Sequence, residues 1–180
     1  MTDDSEWVEI GIDEEMLAEA KVNVEKYNDY NLFGGAKNQK LAGEVGRLAL
    51  RKDLDKNKIV YKEDKHIGSK DQFDFIVNGK NTSLKTQLLN NKFVPLPRYR
   101  CEVNEQQLDN PCDDYVFAKV NLNLKKVWLV GCISKKRFDK EGILQEKGKE
   151  MSDNATKWAV EETKKDVTIL SLDPLKYLYK

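Results

Sequence analysis

The chain has 180 residues, 39% apolar and 34% charged, with 31 Lys and Arg balancing 31 Asp and Glu, a composition that suits one highly charged globular domain. No run approaches the roughly 20 apolar residues that cross a bilayer, and the acidic opening Met1–Glu6 is unlike the basic and then apolar start of a secretory signal, so a cytoplasmic protein with no membrane partner is expected. Cys101, Cys112 and Cys132 lack CxxC spacing and His66 is the single histidine, which argues against a zinc site and against Ser-His-Asp or Cys-His nucleophiles, leaving carboxylates, lysine and a hard metal for any chemistry.

In chain order, helical spacing runs from about Asp13 to Tyr30, with Met16, Leu17, Ala20, Val24 and Tyr27 on one side and Asp13 suited to the N-cap. The breaker Asn31-Leu32-Phe33-Gly34-Gly35 follows. A second helix is expected over about Lys37–Leu50, where Leu41, Val45, Leu48 and Ala49 recur at spacings of three and four. From Lys58 onward the pattern turns to β-like runs: Ile59–Tyr61, Gln72–Val77, Thr82–Gln87, Tyr99–Val103, Tyr115–Val120 and Val127–Ile133. A short helix over Thr156–Thr163 and a last strand over Val167–Leu172 complete the expectation. Residues 1–36 read as an acidic helical segment ahead of a domain over 37–180, with no linker between them.

The balanced charge hides an asymmetry. The first twenty residues hold eight acids and no Lys or Arg, so residues 21–180 carry 31 basic against 23 acidic groups, a formal +8. Such a body can neutralise phosphates, and evenly solvated surface charge is the other reading.

Asn78-Gly79 is the strongest hairpin signal, because both central residues of a type I′ turn need positive φ. If Val77 pairs with Lys80, then Phe75 faces Thr82, Asp74 faces Ser83 and Gln72 faces Lys85. Alternation then places Asp74, Ser83 and Lys85 on one face and Phe73, Phe75, Val77 and Leu84 on the other. One face is core; the other gathers a carboxylate, a hydroxyl and an ammonium, as a catalytic site or as an ion pair on a wet face. Upstream, Glu44 borders the apolar stripe of its helix, where it can be aimed at the sheet or simply solvated.

These residues resemble the PD-(D/E)XK nuclease superfamily of restriction endonucleases, Holliday-junction resolvases and mobile-element nucleases. The matching pieces are Glu44, the segment Gly68 to Val77 with Asp74, the Asn78-Gly79-Lys80 turn, and Thr82-Ser83-Leu84-Lys85-Thr86-Gln87, followed by the later strands up to Leu172. The resemblance implies an α/β fold of restriction-endonuclease-like architecture, with a central mixed β-sheet of about five strands flanked by helices. It also implies DNA as partner and Mg²⁺ or Mn²⁺ as cofactor, held by Asp74, Glu44 and the backbone carbonyl of Leu84. Lys85 would orient or activate the attacking water, and Thr86 and Gln87 would lie beside the site, within reach of the DNA backbone. A homodimer is compatible with this reading. One position departs from the pattern: two residues before Lys85, where the family usually has an acid, stands Ser83. Glu102 and Asp71 are candidate substitutes for the missing carboxylate. Ser83 also opens the alternative of a catalytically impaired nuclease fold that binds nucleic acid or a protein partner.

Other features are weaker. Lys125-Lys126 and Lys135-Lys136-Arg137 flank an apolar strand and either contact phosphates or are solvated strand ends. Trp128 within that strand is expected in the core. Gly34-Gly35-Ala36-Lys37 lacks the spacing of a phosphate-binding loop and reads as a helix connection, and His66 as a loop residue.

Overall fold

A computed structural model describes residues 7–27, 37–63, 74–152 and 157–180. The chain opens with strand β1 (Val8–Gly11) and helix α1 (Glu14–Tyr27). Asp13 caps α1 as expected, its Oδ1 accepting the Met16 N–H at 2.8 Å, and Met16, Ala20 and Val24 are buried at intervals of four. Asp13→Ala is expected to lower stability by about 1 kcal/mol; an unchanged urea midpoint would show that the cap contributes nothing.

Helix α2 spans Lys37–Lys56, six residues beyond the expected end, because its buried stripe continues through Asp53 and Leu54. It stops in a left-handed cap. Lys58 has φ +56°, its N–H donates to the Asp55 carbonyl, and the Ile59 N–H donates to the Leu54 carbonyl. Ile59 is therefore spent on the cap, and the following strand, β2 (Tyr61–Glu63), starts later than predicted. Next come β3 (Phe75–Val77), β4 (Lys80–Leu88), β5 (Arg100–Asn104), the single turn α3 (Glu105–Leu108), β6 (Asp114–Asn121), β7 (Lys126–Ser134), α4 (Lys135–Glu141) and β8 (Ile143–Gln145). Strands β9 (Glu150–Ser152), β10 (Lys157–Ala159) and β11 (Lys164–Thr168) follow, and two 3-10 turns close the chain.

The central sheet has six strands in the order β1-β7-β6-β4-β3-β2, antiparallel throughout except for the parallel pair β4 and β6. The class is α/β with a mixed sheet flanked by helices, as expected, with one strand more. The added strand is β1, where Val8 pairs with Leu129, so the acidic N-terminal segment is stitched into the same sheet. Two apolar clusters fill the two faces. Helices α1 and α2 cover one, packing Met16, Val45, Leu48 and Leu54 on Phe75, Val77, Val116 and Leu129. On the other face Tyr115, Phe117, Trp128 and Ile133 pack with Phe138 of α4 and with Val103 and Val167 of a second sheet, ordered β5-β11-β8. Trp128 lies in this core, and its indole N–H donates to Glu9 at 2.9 Å.

Two expectations near the end are corrected. Lys157–Ala159 is a strand paired with Glu150–Ser152, not a helix: the Gly148 N–H donates to the Val160 carbonyl and the Val160 N–H to the Lys149 carbonyl, which carries the pairing past Glu150 and Ala159 to Gly148 at φ +84°. The last strand begins earlier, at Lys164, and ends at Thr168, where Ile169–Ser171 coils into a 3-10 turn. No helix among the described residues is long and apolar enough to cross a membrane.

Candidate active site

The Asn-Gly turn sets the site's geometry. Asn78 and Gly79 take φ of +49° and +82°, the type I′ combination, and the register is the predicted one, with Val77 opposite Lys80 and Phe75 opposite Thr82. Alternation along β4 then separates two rows. Leu84 and Thr86 face α2, and at Thr86 the helix comes so close that a Cβ on Gly46 would lie 2.4 Å from the threonine Oγ1. Thr86 is thereby removed from the expected row beside the site. Ser83, Lys85 and Gln87 face the other way, beside Tyr115, Phe117 and Lys119, their partners on β6.

Asp74 extends the hairpin ladder by one residue, donating its N–H to the Thr82 carbonyl at 2.9 Å. Its Oδ2 accepts the Leu84 N–H at 2.6 Å and the Ser83 hydroxyl at 3.4 Å. A strand residue's N–H and C=O point to the same edge, so the Leu84 carbonyl is directed to the side of the strand on which Asp74 lies. Lys85 donates to Gln107 Oε1 at 3.2 Å and its Nζ stands 5.9 Å from the Tyr115 ring centroid. Burial pushes the Asp74 carboxyl above the usual carboxylate range, and the Lys85 charge, the Leu84 N–H and the Ser83 hydroxyl oppose that rise. Burial likewise holds Lys85 below the usual lysine value, with Asp74 pulling it back up. The two groups sense each other's charge without closing an ion pair within 4 Å among the described residues.

The predicted set is thus brought together in part. Asp74, Ser83, the Leu84 carbonyl and Lys85 share one place. Glu44 is buried, 6% exposed, on the α2 side, where it accepts Asn23 Nδ2 at 2.7 Å and Arg47 Nε at 3.0 Å. Arg47 also pairs with Glu63, and its positive charge acts on Asp74, opposing the rise of that carboxyl. Glu102 is engaged on the second sheet, its carboxylate 2.8 Å from Lys164. Asp71, His66 and the Gly34–Ala36 turn lie outside the described residues. Of the basic clusters, Lys126 pairs with Glu9, Lys135 with Asp139, and Arg137 with Glu141 and Asp173. Gln107 and Tyr115 are the additions that sequence reasoning did not assign to the site. Nothing local marks Gln107, which reaches Lys85 from 22 residues along the chain.

As a place for Mg²⁺ the donor set is right in kind: the Asp74 carboxylate, the Ser83 hydroxyl and the Leu84 carbonyl are all hard oxygen donors. It brings one negative charge. Among the described residues no three His, Cys, Asp or Glu side chains converge on one point, so the balance of a magnesium shell would fall to water and to substrate phosphate oxygens, as is usual for this ion. The sequence matches no model of a known protein family and no curated protein.

Proposed function

We propose that this chain is a metal-dependent DNA nuclease of the PD-(D/E)XK kind, built on a restriction-endonuclease-like core. The observation that carries the reading is the hairpin juxtaposition: one turn places a carboxylate, a backbone carbonyl and a half-buried ammonium together on a rigid sheet. The order of β2, β3, β4, β6 and β7 across the sheet follows the chain, and α2 covers one face, an architecture in keeping with the same reading.

Phosphodiester hydrolysis adds a water oxygen to phosphorus, breaks one P–O ester bond and leaves a phosphate monoester and a hydroxyl. Asp74, with the Leu84 carbonyl and Ser83, would hold Mg²⁺ or Mn²⁺, which when bound neutralises charge building on the phosphoryl oxygens. Lys85 faces the same place. Its N–H groups orient the attacking water and its charge favours hydroxide over water. Gln107 and the Tyr115 ring keep the ammonium from swinging away.

Ser83 and the engagement of Glu44 by Arg47 and Asn23 favour a second reading, a catalytically impaired nuclease fold that binds nucleic acid or a protein. Incubation with supercoiled, linear and branched DNA separates the two. Nicking in Mg²⁺ or Mn²⁺ that disappears with EDTA and in Lys85→Ala is expected from the enzyme. Salt-sensitive binding without cleavage, with cleavage gained in Ser83→Glu, identifies the impaired form. Cleavage that survives both EDTA and Lys85→Ala overturns the site.

A further inference from the structure

Lys119 is a buried charge that the reading above does not use. It is 2% exposed, in the middle of β6, and its Nζ donates to Gln87 Oε1 and to the Arg100 carbonyl, with the Cys101 thiol beside it. Among the described residues it makes no ion pair, since the nearby Glu102 is taken by Lys164. An ammonium removed from water and given only neutral acceptors is unfavourable for stability, so its value lies in what it orders.

What it orders is an amide. Gln87 is exposed at its other end, and its two termini are not interchangeable: turning the NH₂ group inward would set donor against donor at a buried ammonium. The Lys119 contact therefore fixes Gln87 with its oxygen inward and its two N–H donors outward. Gln87 lies on the same face as Lys85, two residues further along the strand, so that their Cα atoms are about 6.6 to 6.8 Å apart. Successive phosphates of one nucleic-acid strand are spaced on this scale. We propose that Gln87, held in one orientation by Lys119, is the contact for the phosphate adjoining the one acted on at Lys85. Gln87 is the binding group and Lys119 a positioning residue. This assignment rests on the nuclease reading for the phosphate at Lys85, and extends it to substrate register.

The test is binding, in EDTA, of a short DNA duplex carrying a single neutral methylphosphonate at each position in turn. The position whose effect vanishes in Lys85→Ala marks the phosphate at Lys85 without requiring turnover. At one of its immediate neighbours, methylphosphonate is expected to weaken wild-type binding about five- to tenfold, the scale of one lost charge-assisted hydrogen bond. Gln87→Ala and Lys119→Met should each weaken binding to unmodified DNA by a similar factor, abolish sensitivity at that neighbour alone, and together do no more than either singly. Gln87→Glu keeps an acceptor for Lys119 and so the fold, but turns a carboxylate oxygen toward the phosphate. It should bind worse than Gln87→Ala, with a melting temperature no lower than that of the wild type. Retained sensitivity at that neighbour in Gln87→Ala, or additive losses with Lys119→Met, would overturn the assignment. A duplex bound in this pattern but never cut in Mg²⁺ or Mn²⁺ removes the nuclease reading and leaves the phosphate contact standing, whereas absence of any binding removes both.

Discussion

Asp74→Asn is expected to abolish cleavage, by about 10³-fold or more, while raising the stability of the metal-free protein at neutral pH. The asparagine oxygen can still accept the Leu84 N–H, so the hairpin register is kept and only the charge is lost. Losing the one carboxylate of the donor set removes several kcal/mol of charge stabilisation at phosphorus, and each 1.4 kcal/mol or so is a factor of ten in rate. The stability change has the opposite sign. Burial raises the Asp74 carboxyl, so the folded protein holds a proton that the unfolded chain has released, and stability falls as pH rises through the window between the ordinary and the raised value. Above that window the cost is fully present in the wild type and absent from Asp74→Asn. Below about pH 4, where the ordinary carboxyl is protonated too, the advantage disappears. Cleavage rates from pH 5 to 9 should fall on acidification through a value above the ordinary carboxylate range. Urea midpoints at pH 7 and pH 4 complete the test: a variant that still cuts, or that is equally destabilised at both pH values, contradicts the role given to Asp74. Lys85→Met complements it, with lost cleavage and an Asp74 that takes up its proton at still higher pH, because its largest favourable charge is gone.

The parts of this site that depend on local chemistry were legible in the residues, and the parts that depend on long-range packing were not. Asn78-Gly79 can hardly form anything but a tight turn, and a turn fixes register, so the meeting of Asp74 with Ser83 follows from two residues and the period of a strand. Asp13 was equally readable as a cap. The end of α2 was not: a left-handed lysine at position 58 carries no composition signal, and the run toward Tyr61 reads as strand until the cap claims Ile59. For Glu44 the border position left burial against the sheet and solvation both open; Arg47 three residues on is a spacing at which helical side chains meet, yet the stripe cannot say whether the carboxylate turns to its own helix or to the sheet. Gln107 and Lys119 are invisible for a plainer reason. Each acquires its role from a partner more than twenty residues away, and an uncharged glutamine or a lysine within an apolar strand announces neither burial nor a target.

Gly131→Ala is the substitution expected to cost most in stability, about 3 to 5 kcal/mol from a strained backbone and an overpacked contact together, or a melting temperature lower by about 10 °C. Gly131 has φ +142°, and a Cβ there would lie 2.7 Å from the Asp173 carbonyl oxygen and 2.8 Å from Leu172 Cβ. That neighbouring segment has little room to retreat, since Cys132 and Asp173 exchange backbone hydrogen bonds at 2.8 Å and Arg137 binds the Asp173 carboxylate at 2.6 Å. The glycine also resets the phase of β7. Phe117 pairs with Gly131 and the next residue, Ala118, with Leu129, so one residue is extra on β7. Strict alternation from Trp128 and Val130 would send Cys132 to their side and Ile133 to the α2 side. The bulge reverses this, putting Cys132 with the α2 core and Ile133 with Tyr115 and Phe138. A side chain at 131 therefore disturbs both cores at once, including the ring of Tyr115 over which Lys85 rests. Chemical denaturation of Gly131→Ala against wild type measures the loss, and a midpoint within error of wild type would show that the backbone there is freer than this geometry requires. If the variant stays folded at low temperature, its cleavage should fall as well, through a displaced Lys85 and with all of the donor residues intact.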